Sequence, residues 1–482
     1  MLRDDINIFV EGRWVPSSSS ATRDIINPAT GMVIARVAAG AKADVDRAVA
    51  AAKAAFDSWS RTTPRERSDR MADFAARVQA AAEELIKHEA INGGKPLSGA
   101  RWEIEDFVVD GLKFFAGAAR MIEGIASADY LVGRTSSIRR DPVGVVAGIV
   151  PWNYPAELAA WKLGPALAAG NTIVLKPSEG TPLSAIMLAD IAADCFPPGV
   201  VNVVFGDGAE VGGALADHPD VAMISVTGSE RTGKEVARRA SVTLKRVHLE
   251  LGGNAPVIVY DDADLDLLVK TLRLGTFYNA GQDCTAATRI IVHESIHKDF
   301  LDAAKAMTES VIYGDPLASG NENVEMATLA TTAQRDRVAN FVDTAKAGGA
   351  RIVTGGATVD SPGYFYTPTI VDRVEQNDWI VQEEVFGPVM TVQTFTSEEE
   401  AIRMGNGVRQ GLAASVWTQD LGRAIRSSNQ LRFGTAWVND HLPLVSEMPH
   451  GGHKSSGYGR DMSKYVLEEY TNTKHVMIRH GA

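Results

Sequence analysis

Cysteine is scarce. The 482 residues hold two, Cys195 and Cys284, which provides no disulfide framework and fits a reducing cytoplasm. Long apolar runs are also missing. The best candidate, "ELAAWKLGPALAAGNTIVL", is broken by Lys162, Gly164 and Pro165, so no membrane span is expected. Positive charge is short: 48 Lys and Arg stand against 60 Asp and Glu, a net charge of −12. Nucleic acid is therefore not an expected partner, because phosphate contacts need clustered cations. The opening "MLRDDINIFV" has two aspartates and no apolar core, so no signal peptide is expected. No fixed-period repeat is present.

What is present belongs to a soluble globular chain, 45% hydrophobic and 22% charged. Its length exceeds one ordinary core, so two or three domains are expected. Segments 44–59 and 65–90 carry apolar residues at helical spacing. From residue 143 onward, short apolar runs alternate with helix-like segments: "VGVVAGIVPWNYP", a helix over 157–169, "NTIVLKP", a helix over 182–195, "VVNVVFG" and "VAMISVTG". A second alternating block runs from "PVIVY" to "GTAWVN". This α/β pattern predicts parallel sheets with crossover helices and a cleft between two blocks, where small molecules bind. The C-terminal "TNTKHVMIRH" alternates like an exposed strand, free to pair within the chain or with another subunit.

Several short motifs could carry chemistry. "GSERTGK" (228–234) fits seven places of a phosphate loop, but Glu235 stands where Ser or Thr must hold magnesium. A dinucleotide site suits it better, with Gly228 and Ser229 opening a helix whose N-terminus faces a pyrophosphate. The G-x-G-x-x-G fingerprint is absent, and the Gly-rich "FGDGAEVGG" is mis-spaced for it. "LKPSE" presents Lys176 and Glu179 at the end of a buried strand, where nucleotides lie in open α/β sheets. A carboxylate there can bind ribose hydroxyls and repel a 2′-phosphate. A solvated Lys and a helix-start Glu explain the motif equally well. "HLELGGNAP" puts Glu250 before two glycines, and a carboxyl in a closed cleft can serve as a general base.

The two cysteines differ in setting. Cys195 follows a helix-like run and precedes Pro197-Pro198, which suits a buried structural thiol. Cys284 sits in "NAGQDCTA", where Gly281 lets the chain bend and Thr285, Ala286 and Ala287 leave room beside the sulfur. A nucleophilic cysteine needs such access, a lowered pKa and an oxyanion donor. The Cys284 backbone N–H and the Asn153 side-chain amide are candidates for that donor. No histidine is close in sequence to suggest a Cys-His pair, and by itself the stretch also fits a quiet structural thiol.

Taken together, "NPATG" (27–31), "PWNYP" (151–155), "LKPSE" (175–179), "VTGSERTG" (226–233), "LELGGNAP" (249–256), "FYNAGQDCTA" (277–286), "EEVFGP" (383–388) and "MPHGGHKSSGYGRD" (448–461) occur in the order seen in the aldehyde dehydrogenase superfamily. The chain resembles that superfamily over nearly its whole length. The resemblance implies NAD as cofactor and Cys284 as nucleophile. Asn153 and the Cys284 amide would bind the oxyanion, and Glu250 would activate the water that hydrolyses a thioester. Lys176 and Glu179, with Ser178 beside them, would hold the adenosine ribose. Gly228, Ser229 and Thr232 would meet the pyrophosphate, and Glu384 the nicotinamide ribose. Phe386, Trp152 and Leu251 would line the cofactor cleft. Lys162 lies at the family's proton-relay position, with Asp461 in place of the usual Glu, one methylene shorter. No metal is expected.

The resemblance also implies a Rossmann-like cofactor domain (1–122 and 142–252), an α/β catalytic domain (253–455) and a small β arm for oligomerisation (123–141 and 465–482). It implies a homo-oligomer, a tetramer favoured over a dimer. Within the family the motifs look most like bacterial 4-aminobutyraldehyde dehydrogenases and related betaine-aldehyde-type enzymes. A cationic aldehyde needs carboxylates or aromatic faces along its tunnel. Glu103, Phe107 and Asp110 fall on one face at helical spacing. Tyr154, Glu157, Leu158 and Trp161 lie on the helix that lines the tunnel in the family, Asp283 precedes the nucleophile, and Leu444 and His450 lie in the C-terminal motif region. An acidic solvated face explains the first group too, and an uncharged aliphatic or aromatic aldehyde is the alternative substrate.

Overall fold

The computed structural model describes residues 7–124 and 126–481. Most of the N-terminal stretch read for a leader (1–6) and Ile125 of the expected arm lie outside them.

An eight-stranded sheet occupies the first half of the chain. Its centre is five parallel strands in the spatial order Arg246–Leu251, Val221–Gly228, Val145–Ile149, Thr172–Lys176 and Val201–Val203. Their side chains are nearly all buried, as their unbroken Val/Ile runs require of strands covered on both faces. Helix Pro155–Ala169 is buried along its whole length. It packs against helices Pro64–Ala80, Asp110–Ala118 and Leu183–Cys195. Gly148 lets this helix approach the sheet, because a Cβ there would stand 3.3 Å from Lys162 Cβ.

A seven-stranded sheet builds the second half, with Ala287–His293, Ala255–Val259 and Val389–Phe395 adjacent and parallel in its middle. The strand Gly457–Tyr458 returns to the edge of the first sheet beside Arg246–Leu251. A separate three-stranded sheet joins Ala128–Leu131, Arg134–Pro142 and Thr471–Arg479, so the C-terminal strand pairs within its own chain across nine register positions. No helix among the described residues is long and apolar enough to cross a membrane.

Two local expectations change. The helix expected over 65–90 is two helices, Pro64–Ala80 and Ala82–Gly93; the alanine-rich run carries no residue that marks the break. Residues Glu103–Val109 form a π-helical turn between two α-helical pieces. A π turn is wider than an α turn, so residues spaced for one α-helical face no longer share it.

Candidate active site

A cavity of about 580 Å³ opens where the C-terminal ends of the first sheet's parallel strands meet the second half of the chain. Such strand ends are the usual ligand side of an open α/β sheet. Cys284 lies in its wall, three residues before the strand that begins at Ala287.

The loop that carries Cys284 is held from several sides. Ala280 and Gly281 take left-handed backbone, and a Cβ on Gly281 would meet the Gly387 carbonyl oxygen at 2.0 Å. Buried Gln282 donates to Asn279 O and Thr328 O, each at 2.9 Å, and accepts from Ala330 N at 2.9 Å. Asp283 Oδ1 accepts from the Thr285 N–H at 2.6 Å and the Thr285 hydroxyl at 2.7 Å. Gly253 makes room for the Cys284 carbonyl oxygen, which a Cβ there would approach to 2.0 Å. The odd composition of "NAGQDC" is thus the cost of holding one thiol at a cavity wall.

Asn153 reaches the same loop, its Nδ2 donating to Gln282 O at 3.1 Å, while Asn279 Nδ2 donates to Asn153 O at 2.9 Å. Glu250 and Thr227 are cross-strand neighbours that line the cavity. Both Glu250 oxygens and the Thr227 hydroxyl are buried without a hydrogen-bond partner among the described residues, which suits groups waiting for water or ligand. Burial pushes the Cys284 thiol well above its ordinary value, and the nearby carboxyls of Glu250, Asp283 and Glu384 push the same way. The free thiol is therefore the resting form, and the attacking thiolate forms by loss of a proton into the cavity.

On the cofactor side, Trp152, Gly228, Ser229, Leu251, Glu384 and Phe386 line the cavity. Ser229 caps helix Glu230–Ala240, accepting from Thr232 N at 3.2 Å. That N-terminus offers N–H groups to an anion. Lys234 is on the exposed face, tied to Glu230 at 2.6 Å, so the phosphate-loop reading of "GSERTGK" finds no cradle. Glu384 Oε1 accepts from Gly253 N at 2.9 Å, and burial pushes this carboxyl up to about 8. The Trp152 and Phe386 rings meet edge to face at 5.4 Å. Lys176, Ser178, Glu179 and Thr232 lie outside the cavity wall. Lys176 Nζ is 3.3 Å from Glu179, at the end of the strand next to Val145–Ile149.

Of the expected substrate residues, Phe107, Tyr154, Glu157, Leu158, Trp161, Asp283, Leu444 and His450 line the cavity. Glu103 and Asp110 do not. Glu103 is fully buried and bonded to Lys95 Nζ at 2.6 Å, and Asp110 is exposed and accepts from Ser446 Oγ at 2.7 Å. The π-helical turn separates them from Phe107. Lys162 and Asp461 are likewise outside the wall, yet the shorter carboxylate reaches: the two form a fully buried ion pair at 2.7 Å. Cys195 is buried with its thiol pushed up to about 12 by burial and Asp73, in keeping with a structural role.

Gln334, Arg337 and Arg409 belong to no motif in the sequence. Gln334 donates to Phe386 O at 2.6 Å, and Arg337 to Val385 O and Glu384 O at 2.6 and 2.7 Å. Arg409 grips Glu383 with two bonds of 2.6 Å and Glu230 with one of 2.7 Å. Together they clamp the "EEVFGP" loop from distant segments, and only the fold brings them there.

A two-lobed α/β architecture with a thiol, a carboxyl and a side-chain amide around one interlobe cavity defines a thiol-dependent enzyme of small molecules. The chain matches the aldehyde dehydrogenase family over residues 14–476, and it belongs to that family. It is 40% identical over 476 residues to the betaine aldehyde dehydrogenase of Bacillus subtilis (strain 168), covering 97% of this chain and 96% of that one. It is 38% identical to the chloroplastic betaine aldehyde dehydrogenase of Beta vulgaris, with 97% and 95% covered. Among solved structures it superposes on betaine aldehyde dehydrogenase from Staphylococcus aureus in complex with NAD+ with a TM-score of 0.96, at 38% identity, covering 99% of this chain and 95% of that one.

Proposed function

We propose that this chain, an NAD-dependent aldehyde dehydrogenase, oxidises a cationic ω-aminoaldehyde such as 4-aminobutyraldehyde to the carboxylic acid. The observation that carries the choice of substrate is Glu157. Its carboxyl lines the cavity, is 7% exposed and accepts no hydrogen bond among the described residues. Burial, then the nearby Glu103 carboxyl, pushes its pKa well up. An ammonium group entering the cavity supplies the missing donor and countercharge, with Asp283 on the same wall.

Cys284 gives up its thiol proton to water in the cavity, and its sulfur attacks the aldehyde carbon. The Asn153 side-chain amide and the Cys284 N–H stabilise the oxyanion that forms. NAD, when bound, supplies the hydride acceptor; Ser229, Glu384, Trp152 and Phe386 would hold it against the thiol, with Lys176, Ser178 and Glu179 beyond them at the adenosine end. Glu250 then draws a proton from water, which cleaves the Cys284 thioester and frees the acid. Lys162 and Asp461 would carry the proton onward. Tyr130, Val132, Met477 and Ile478 are exposed on the small β arm, which supports its reading as an oligomerisation element.

A trimethylammonium aldehyde is the second reading, favoured by the aromatic faces of Trp102, Phe107, Tyr154 and Trp161 in the cavity and by the names of the relatives. The test is kcat/KM with NAD+ for 4-aminobutyraldehyde, betaine aldehyde and butyraldehyde, on the native chain and on Glu157→Gln. The expected result is a preference for the primary amine, with a loss of roughly tenfold or more in Glu157→Gln confined to the cations. Equal or better turnover of butyraldehyde by the native chain would remove the aminoaldehyde reading.

A further inference from the structure

His450 is buried, and its part in aldehyde oxidation is not needed by any step above. Its ring is fixed from two directions. The His450 backbone pairs both ways with Asp461, at 2.9 and 2.7 Å, and the ring packs on Trp161 at 5.5 Å. So held, His450 Nε2 stands 3.5 Å from Glu250 Oε1. A ring nitrogen of His450, a carboxylate oxygen of Glu250 and Cys284 Sγ all lie within 4.8 Å of one another. His450 Nδ1 and both Glu250 oxygens have no hydrogen-bond partner among the described residues, although both residues are 1% exposed.

One imidazole, one thiolate and one carboxylate, with a fourth position facing a cavity, form the ligand set of an open tetrahedral zinc site. Ligand atoms about 2.0–2.3 Å from such an ion are roughly 3.5 Å apart. His450 Nε2 and Glu250 Oε1 already stand at that separation, 3.5 Å, and the three ligand atoms lie within 4.8 Å of one another. The thiolate excludes magnesium and calcium, which prefer oxygen, and favours zinc.

We propose that Cys284, Glu250 and His450 form a reversible inhibitory site for Zn2+. The ion binds the sulfur as thiolate, and the thiol proton leaves to solvent. Coordination takes up both the sulfur lone pair and the carboxylate, so nucleophile and base are lost together. The carboxyls that hold the thiol protonated in the free protein become assets once a divalent cation stands between them. The inference does not depend on which aldehyde is the substrate.

Co2+ is the probe, added to the full-length chain without NAD. One equivalent should give a thiolate-to-cobalt charge-transfer band in the near ultraviolet. Zn2+ should displace it and should protect Cys284 from iodoacetamide, as read by mass spectrometry, until EDTA is added. The band should vanish in Cys284→Ser. His450→Phe and His450→Gln should each weaken Co2+ binding at least about tenfold, and the pair covers the case in which one variant folds poorly. Absence of the band at one equivalent would overturn the site, as would unchanged cobalt affinity in a folded His450 variant.

Discussion

The Tyr154 hydroxyl donates to Asp283 Oδ2 at 2.7 Å, joining the buried helix at the cavity wall to the residue before the candidate nucleophile. The other Asp283 oxygen holds the turn at Thr285. Asp283 is therefore an anchor of the thiol loop as well as a charge beside the sulfur.

That charge raises the Cys284 pKa, so its removal should lower it. Asp283→Asn keeps an oxygen for Thr285 while deleting the charge. The rate of Cys284 alkylation by iodoacetamide against pH should shift to lower pH in this variant. An unmoved or raised midpoint would show that Asp283 acts on the loop alone.

Asn153→Ala should lower kcat by about 10²–10³ with little change in KM, the size of losing one oxyanion donor. Steady-state kinetics on a good substrate checks this. A change confined to KM would make Asn153 a binding residue.

The Lys162–Asp461 pair is wholly buried. Lys162→Met strands a carboxylate and should cost about 3–5 kcal/mol, whereas Lys162→Met with Asp461→Leu should recover part of that loss. Thermal inactivation midpoints of both variants test it. Equal damage in the two would show that the residues do not act as a pair.

His248 gives stability a pH dependence of known sign. Its Nδ1 is 2.6 Å from Ser225 Oγ. Burial holds its pKa down at about 4 against an ordinary 6.5, with Asp461 opposing and Lys162 reinforcing. The folded chain keeps His248 neutral, so unfolding takes up a proton between those values. The stabilisation is complete above pH 6.5 and is lost as pH falls towards 4, by up to about 3 kcal/mol. The midpoint of thermal inactivation should fall less steeply over this range in His248→Asn than in the native chain.

Strand and helix alternation was readable because buried parallel strands must be apolar throughout, and the residues around Cys284 were readable because an acyl-transfer site needs a thiol, a base and an oxyanion donor. Cys284, Asn153 and Glu250 do meet at one cavity. Glu103 and Asp110 fall away from the cavity because a π turn interrupts the α-helical period on which they would share a face with Phe107. Arg337 and Arg409 act on the backbone and side chains of a distant loop, a role that leaves no local pattern. Whether Asp461 reached Lys162 depended on backbone placement 299 residues apart, and one missing methylene could not decide it.

In the proposed mechanism an acyl group rests on Cys284 and leaves by the action of Glu250. Glu250→Gln keeps the side chain's shape and removes the base. Mixed rapidly with NAD+ and 4-aminobutyraldehyde, this variant should release a burst approaching one NADH per site and then turn over slowly. Mass spectrometry of the quenched protein should find the acyl mass on Cys284. Full steady-state turnover without a Cys284 adduct would contradict this mechanism.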